Sequence, residues 1–360
     1  METIVSNAPF FTKDAIVFGI LCICLGFIFY TSNKSSGFWF KFYKIVPALF
    51  MAYFIPALLT TFGVIAPDWV TVNPDGIPVE KSSNLYYMAS RCLLPAALVL
   101  MALIINLKCV FNLGPKALIM FLTGTFGIIL GGPIAVLIIG SISPETVGGE
   151  GADAVWRGLS TLAGSWIGGG ANQTAMLEIY GYNTKLYGGM VFVDIVVANI
   201  WMALILIGIG RADRFNKWLK ADTAAIEKLK ETVSTFAAKV ARQPTLTDYI
   251  LILALAFGAV GAAHFFGDFI SAQFTSFVES LPKGLSQNVF SFLESKFFWM
   301  ITIATLLGVG FSFTKARNYE GAGASKLGSV FIYILVATIG MKMDLTLIFE
   351  NAGLLAIGLV

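Results

Sequence analysis

One apolar stretch after another, joined by short polar links, is what most limits the folds open to this chain. The stretches fall at about 14–31, 43–65, 85–106, 115–141, 186–210, 248–267, 297–314, 327–343 and 345–360, with a glycine-broken one at 157–180. A helix crosses the hydrocarbon of a bilayer with roughly 20 apolar residues. Of the 360 residues, 57% are hydrophobic and 12% charged, where an ordinary soluble domain carries about 25% charged residues. That apolar content suffices for about ten crossings, and the mean hydropathy of +0.81 agrees. A soluble enzyme, a nucleic-acid binder and a single-span receptor are excluded. A transmembrane barrel would alternate apolar and polar residues along short strands, whereas these runs are continuous. The expected fold is an all-α polytopic membrane protein in contact with the lipid bilayer and with no nucleic-acid partner.

Basic residues set the orientation. Lys34, Lys41 and Lys44, then Lys108 and Lys116, then Lys315 and Arg317, mark cytoplasmic joints. The joint at 66–83 carries Asp68, Asp75 and Glu80 against Lys81 alone, which suits the outside. The long polar stretch 211–246 holds eight basic residues, and Leu219, Ile226, Leu229, Val233, Phe236 and Val240 recur in it at helical spacing. It reads as a cytoplasmic amphipathic helix on the membrane surface, serving as a plain linker or as a contact for acidic lipid. No cleavable signal is expected, because no basic region precedes the first apolar run. A single histidine, His264, excludes a multi-histidine metal site and falls near the end of its segment. The cysteines read as small packing residues.

The chain also repeats itself. Thr12-Lys13-Asp14-Ala15-Ile16 resembles Leu246-Thr247-Asp248-Tyr249-Ile250, and Asn106-Leu107-Lys108-Cys109-Val110-Phe111 resembles Asp344-Leu345-Thr346-Leu347-Ile348-Phe349. The segments so matched run in opposite directions, which predicts an inverted repeat: 1–210 as the first repeat, 211–246 as the linker and 247–360 as the second. Inverted repeats recur in secondary transporters, which bind substrate at the repeat interface. The second repeat lacks a counterpart to 123–210, so further chain is expected past residue 360.

The stretch Gly164-Ser165-Trp166-Ile167-Gly168-Gly169-Gly170-Ala171-Asn172-Gln173-Thr174 is the most informative. Each glycine costs a helix about 1 kcal/mol against alanine, so three in a row should break it. Freed backbone at membrane depth is tolerated only within protein or beside a wet cavity. Backbone N–H groups at such a break can hold an anion, and Asn172, Gln173 and Thr174 can hold a cation or a polar solute. A complete crossing by 157–180 would put the basic linker outside, so a broken or re-entrant element is expected. Close helix packing on the glycines is the competing explanation. Asp194 sits eight residues into the next apolar run, where an acid is costly unless partnered or functional. It is expected to be an ion ligand or proton carrier, with a structural hydrogen-bonding role as the alternative. Arg91 lies near the outer end of its segment and either attracts an anion or extends to the interface.

This glycine break with Asn172 close behind, followed by Asp194 in Val193-Asp194-Ile195, resembles the YjcL-like family of uncharacterised bacterial membrane proteins. That family is similar to the superfamily of cation:proton antiporters and sodium-coupled anion symporters. The resemblance implies a bacterial inner (plasma) membrane location, a scaffold domain, a mobile core domain with two unwound helices, and coupling to sodium or protons. The first break and its acid match; the second break would lie past residue 360.

The expected activity is therefore secondary active transport of a small polar or anionic solute by alternating access. Ser165, Gly168, Gly169, Gly170, Asn172, Gln173, Thr174 and Asp194 are the expected solute and ion site, with sodium at Asn172, Thr174 and Asp194. No cofactor beyond a coupling ion is expected, and a homodimer is compatible with the sequence. An intramembrane hydrolase using Asp194 and Asp344, or a channel, is the alternative. No enzyme is expected, since Gly-x-Gly-Asp, His-Glu-x-x-His and Gly-x-Ser-x-Gly motifs are absent.

Overall fold

A computed structural model describes residues 8–73, 77–105, 115–209, 235, 240–281, 290–343, 345 and 353–360. In chain order these form α1 (Asp14–Ser32), α2 (Gly37–Phe42), α3 (Ala48–Thr61), β1 (Asp68–Val72) and β2 (Pro78–Ser82). Next come α4 (Leu85–Ala102), α5 (Pro115–Ile142), α6 (Val155–Gly168), α7 (Gly170–Tyr180) and α8 (Tyr187–Ile209). The last are α9 (Leu246–Glu279), α10 (Lys296–Ser312), α11 (Ala324–Lys342) and α12 (Gly353–Leu359). Five helices among the described residues, α1, α4, α5 (from Leu118), α9 and α11, are long and apolar enough to cross a membrane. A sixth is reached if α10 and the turn Lys315–Ala322, bent by 94° from it, form one broken span. The protein is a polytopic helical membrane protein.

Several segments differ in length from their apolar runs. The run at 43–65 yields only 14 helical residues in α3, because Gly63 at φ +68° ends the helix in the left-handed region. The run at 248–267 continues as α9 to Glu279, so His264 lies mid-helix rather than near an end. A capping box starts α9: the Thr245 hydroxyl accepts from the Asp248 N–H, and the Asp248 carboxylate accepts from the Thr245 N–H. The joint at 66–83 contains an antiparallel hairpin pairing Trp69 with Lys81 and Thr71 with Val79. Most of the linker 211–246, Asn106, Cys109 and Asp344 lie outside the described residues.

The chain divides into two compact units. The first holds residues up to 94, 182–192 and 330–352. Its core joins Val17 and Leu21 of α1 to Ile65, Leu85, Ala337 and Met341. Gly340 of α11 packs on the Tyr53 backbone, with room for no Cβ, and the Thr60 hydroxyl donates to the Met341 carbonyl at 2.9 Å. The second unit holds 95–181, 193–329 and 353–360. There Gly308 of α10 packs against α4, where a Cβ would lie 2.9 Å from Val99 Cα and 2.8 Å from Ala102 Cβ. Gly267 of α9 packs on the backbone of α10 at Met300.

Candidate ion and solute site

The triple glycine divides its segment into a helical hairpin. α6 stops at Gly168, and Gly169 adopts φ +85°, ψ −176°, a region open to glycine and almost no other residue. The Gly169 N–H donates to the Ser165 carbonyl at 2.6 Å, and the Gly169 carbonyl accepts from Asn172 and Gln173 at 3.0 Å. One residue thus terminates α6 and starts α7. The far ends of the two helices meet as well. Arg157 donates to the Tyr180 carbonyl, its guanidinium lies 4.7 Å from the Trp156 ring centroid, and the Trp156 and Tyr180 rings meet edge-on at 5.8 Å. The two arms therefore run antiparallel, with the tip at 168–170.

Close packing and breaking are divided among the glycines. A Cβ at Gly164 would lie 2.7 Å from Met176 Cγ and 2.9 Å from the Asn172 carbonyl, and one at Gly168 would overlap the Asn172 side chain. These two glycines, four residues apart, let the arms touch. Gly169 meets nothing within 4 Å and serves the turn alone. With 14 and 11 residues, the arms are about 21 and 16 Å long, each short of the roughly 30 Å hydrocarbon.

Asp194 of α8 reaches α6 one turn below this tip. The Ser165 hydroxyl donates to its carboxylate at 2.8 Å, and the Trp166 side chain lies close to it. Val193 and Val197 on the neighbouring face of α8 pack on Gly358 of α12. Of the eight expected residues, Ser165 and Asp194 are joined directly, and Gly168, Gly169 and Gly170 form the tip beside them. Asn172, Gln173 and Thr174 belong to the first turns of α7. Thr174 is fully buried and its proton is used by the Gly170 carbonyl at 3.0 Å. Gln173 is 2% exposed, and its amide nitrogen has no hydrogen-bond partner among the described residues. No hydrogen bond among the described residues joins Asp194 to Asn172 or Thr174.

Chemically, this is one carboxylate held by a serine close to an indole, with a glycine turn and a buried amide of spare donor capacity on the same hairpin. Such a set can exchange a proton or coordinate a monovalent cation. Trp166 and the Arg157 clasp are not among the residues to which the sequence points. Trp166 adjoins Ser165, which is a usable signal; Arg157 bonds a backbone carbonyl, which leaves none.

No solved structure matches the chain. The chain is 26% identical over 297 residues to "Uncharacterized membrane protein YjcL" of Bacillus subtilis (strain 168), covering 81% of this chain and 68% of that protein. The family described as "Protein of unknown function (DUF819)" matches residues 19–360. With nearly its whole length matched, the chain belongs to that family.

Proposed function

We propose that the chain is a secondary active transporter that moves a small polar or anionic solute across the bacterial inner membrane by alternating access, coupled to sodium or protons. The observation that carries this reading is the glycine-tipped α6–α7 hairpin with Asp194 bound to its arm through Ser165. Two helices too short to cross, turned at a residue only glycine suits, bring backbone and carboxylate together in otherwise apolar surroundings. Discontinuous elements of this kind mark binding sites in transporters. In this reading the hairpin is re-entrant and the 211–246 linker is cytoplasmic. Asp194 carries the coupling ion, Asn172, Gln173 and Thr174 face the solute, and no bond-making chemistry is involved.

Helix positions support the inverted repeat. Asp14 and Asp248, 234 residues apart, both lie in the first turn of their helices. α3 and α10 begin at Ala48 and Lys296, 248 apart, and the sequence match of Asn106–Phe111 with Asp344–Phe349 gives a spacing of 238. The last two spacings carry Thr60 to Gly308 and Met341 to Leu103. Within the first unit Thr60 bonds Met341; within the second Gly308 abuts Ala102, next to Leu103. Each half thus uses its second helix against the other half's third, as a pseudo-two-fold requires.

The test is uptake into proteoliposomes of radiolabelled carboxylates and amino acids under an inward sodium or proton gradient. Accumulation of at least one solute that collapses with the gradient is expected. Flux indifferent to both gradients for every solute that enters would reject coupled transport and leave the channel alternative.

A further inference from the structure

The first unit contains a second polar feature that the hairpin site does not use. A cleft of about 330 Å³ is lined by Arg91 and Lys342 together with Asp68, Ser83, Tyr86 and Ser90. Its size falls at the lower end of small-ligand sites. Arg91 lies in a π-helical turn, Ala89–Leu93, set within the otherwise α-helical α4. Such turns cost helix regularity and recur at functional sites. Lys342 closes α11, with its ammonium 4.6 Å from the Tyr86 ring centroid, a contact that fixes the charge while leaving other N–H donors available.

The charges settle which ligand suits the cleft. Two cations face one carboxylate, and that acid, Asp68, is exposed. Two of the lining hydroxyls have partners of their own: Ser83 donates to Asp14 at 2.7 Å and Ser90 to the Tyr87 carbonyl at 3.3 Å. The cleft thus presents a ligand with positive charge from a guanidinium and an ammonium, the pairing used for carboxylates and phosphates. Fold symmetry does not demand these residues. The 238-residue spacing between Asn106–Phe111 and Asp344–Phe349 sends Arg91 to Ser329 and Lys342 to Ile104, so neither cation has a basic counterpart. Arg91, an ionisable group within an apolar helix and without a repeat-related role, calls for a functional reason.

We propose that this cleft binds a small anion bearing a carboxylate or phosphate group, presented free or on a lipid headgroup. On the orientation given by the basic residues, the cleft opens at the outer face, beside the β1–β2 hairpin. Arg91 grips the anion in a planar fork and Lys342 supplies a second charge.

The experiment uses the full chain in nanodiscs of zwitterionic lipid, titrated with inorganic phosphate and with acetate against chloride at matched ionic strength. A saturable rise in the apparent unfolding temperature is expected with phosphate or acetate but not chloride. Arg91→Gln and Lys342→Gln should each weaken the response at least about tenfold, and Lys81→Gln, at an exposed position of β2, should leave it intact. Because a variant can fail to fold, the wild type is also treated with a lysine-acylating reagent: phosphate should protect Lys342 and not the exposed Lys81. If an anionic headgroup is the occupant, phosphatidylglycerol nanodiscs will raise the unfolding temperature unaided and blunt the phosphate response. Equal effects of chloride and phosphate in zwitterionic lipid, with no phosphatidylglycerol effect and no protection of Lys342, would overturn the proposal. So would a response that survives in Arg91→Gln/Lys342→Gln.

Discussion

Two glycine-rich helical regions behave in opposite ways. α5 carries Gly124, Gly127, Gly131, Gly132, Pro133 and Gly140, yet continues unbroken for 28 residues. The segment 155–180 has its glycines at 158, 164 and 168–170, and it folds back on itself at Gly169. Gly124, Gly127, Gly131 and Gly132 meet nothing within 4 Å, and the apolar side chains around them, such as Ile119, Phe126 and Leu130, are exposed. A helix surrounded by lipid has no partner for a freed backbone group, so it stays helical whatever its glycine content. In the hairpin, the Arg157 clasp provides such a partner at the Tyr180 carbonyl, and the arms pack on each other at Gly164 and Gly168. Glycine permits a break; polar neighbours and packing decide whether one occurs.

Substitutions sharpen that contrast, and the largest effect is expected where the arms touch. Gly164→Leu puts a side chain into Asn172 and Met176 and should cost about 3 kcal/mol through overpacking, read as a marked fall in unfolding temperature. Loss of the clasp in Arg157→Gln should cost about 2 kcal/mol, the value of a charged hydrogen bond, with faster proteolysis near Tyr180 as a second readout. Gly169→Ala forces alanine into a glycine-only conformation and should cost about 1–2 kcal/mol. Gly127→Ala in α5 should be neutral or stabilising by up to about 1 kcal/mol, with transport unchanged. A loss from Gly127→Ala as large as that from Gly169→Ala would break the contrast.

Much of the hairpin is legible in the residues alone. An aspartate in an apolar run and three consecutive glycines announce themselves, and positive-inside counting argues against a full crossing at 157–180. The pairing of Asp194 with Ser165 is not legible, because residues 29 apart carry no local trace of their contact. The competing packing explanation holds for Gly164 and Gly168, while the break belongs to Gly169. Apolarity misjudges lengths: α3 ends where Gly63 takes a left-handed conformation, and α9 outruns its apolar core to reach Asp268, which pairs with Lys296 at 3.2 Å. The π turn at Ala89–Leu93 has no compositional mark, since it depends on how α4 packs. Arg91 stands out as a charge in an apolar segment, but its companion Lys342 lies far along the chain and becomes relevant only through the cleft.

The most direct test of the account compares wild type with Asp194→Asn in proteoliposomes, after checking that the variant keeps its unfolding temperature. The carboxylate is the proposed carrier of the coupling ion. Gradient-driven accumulation should therefore vanish in Asp194→Asn, while any downhill exchange of solute persists. Accumulation that is undiminished in the folded variant would contradict the assignment of coupling to Asp194 and to the hairpin that holds it.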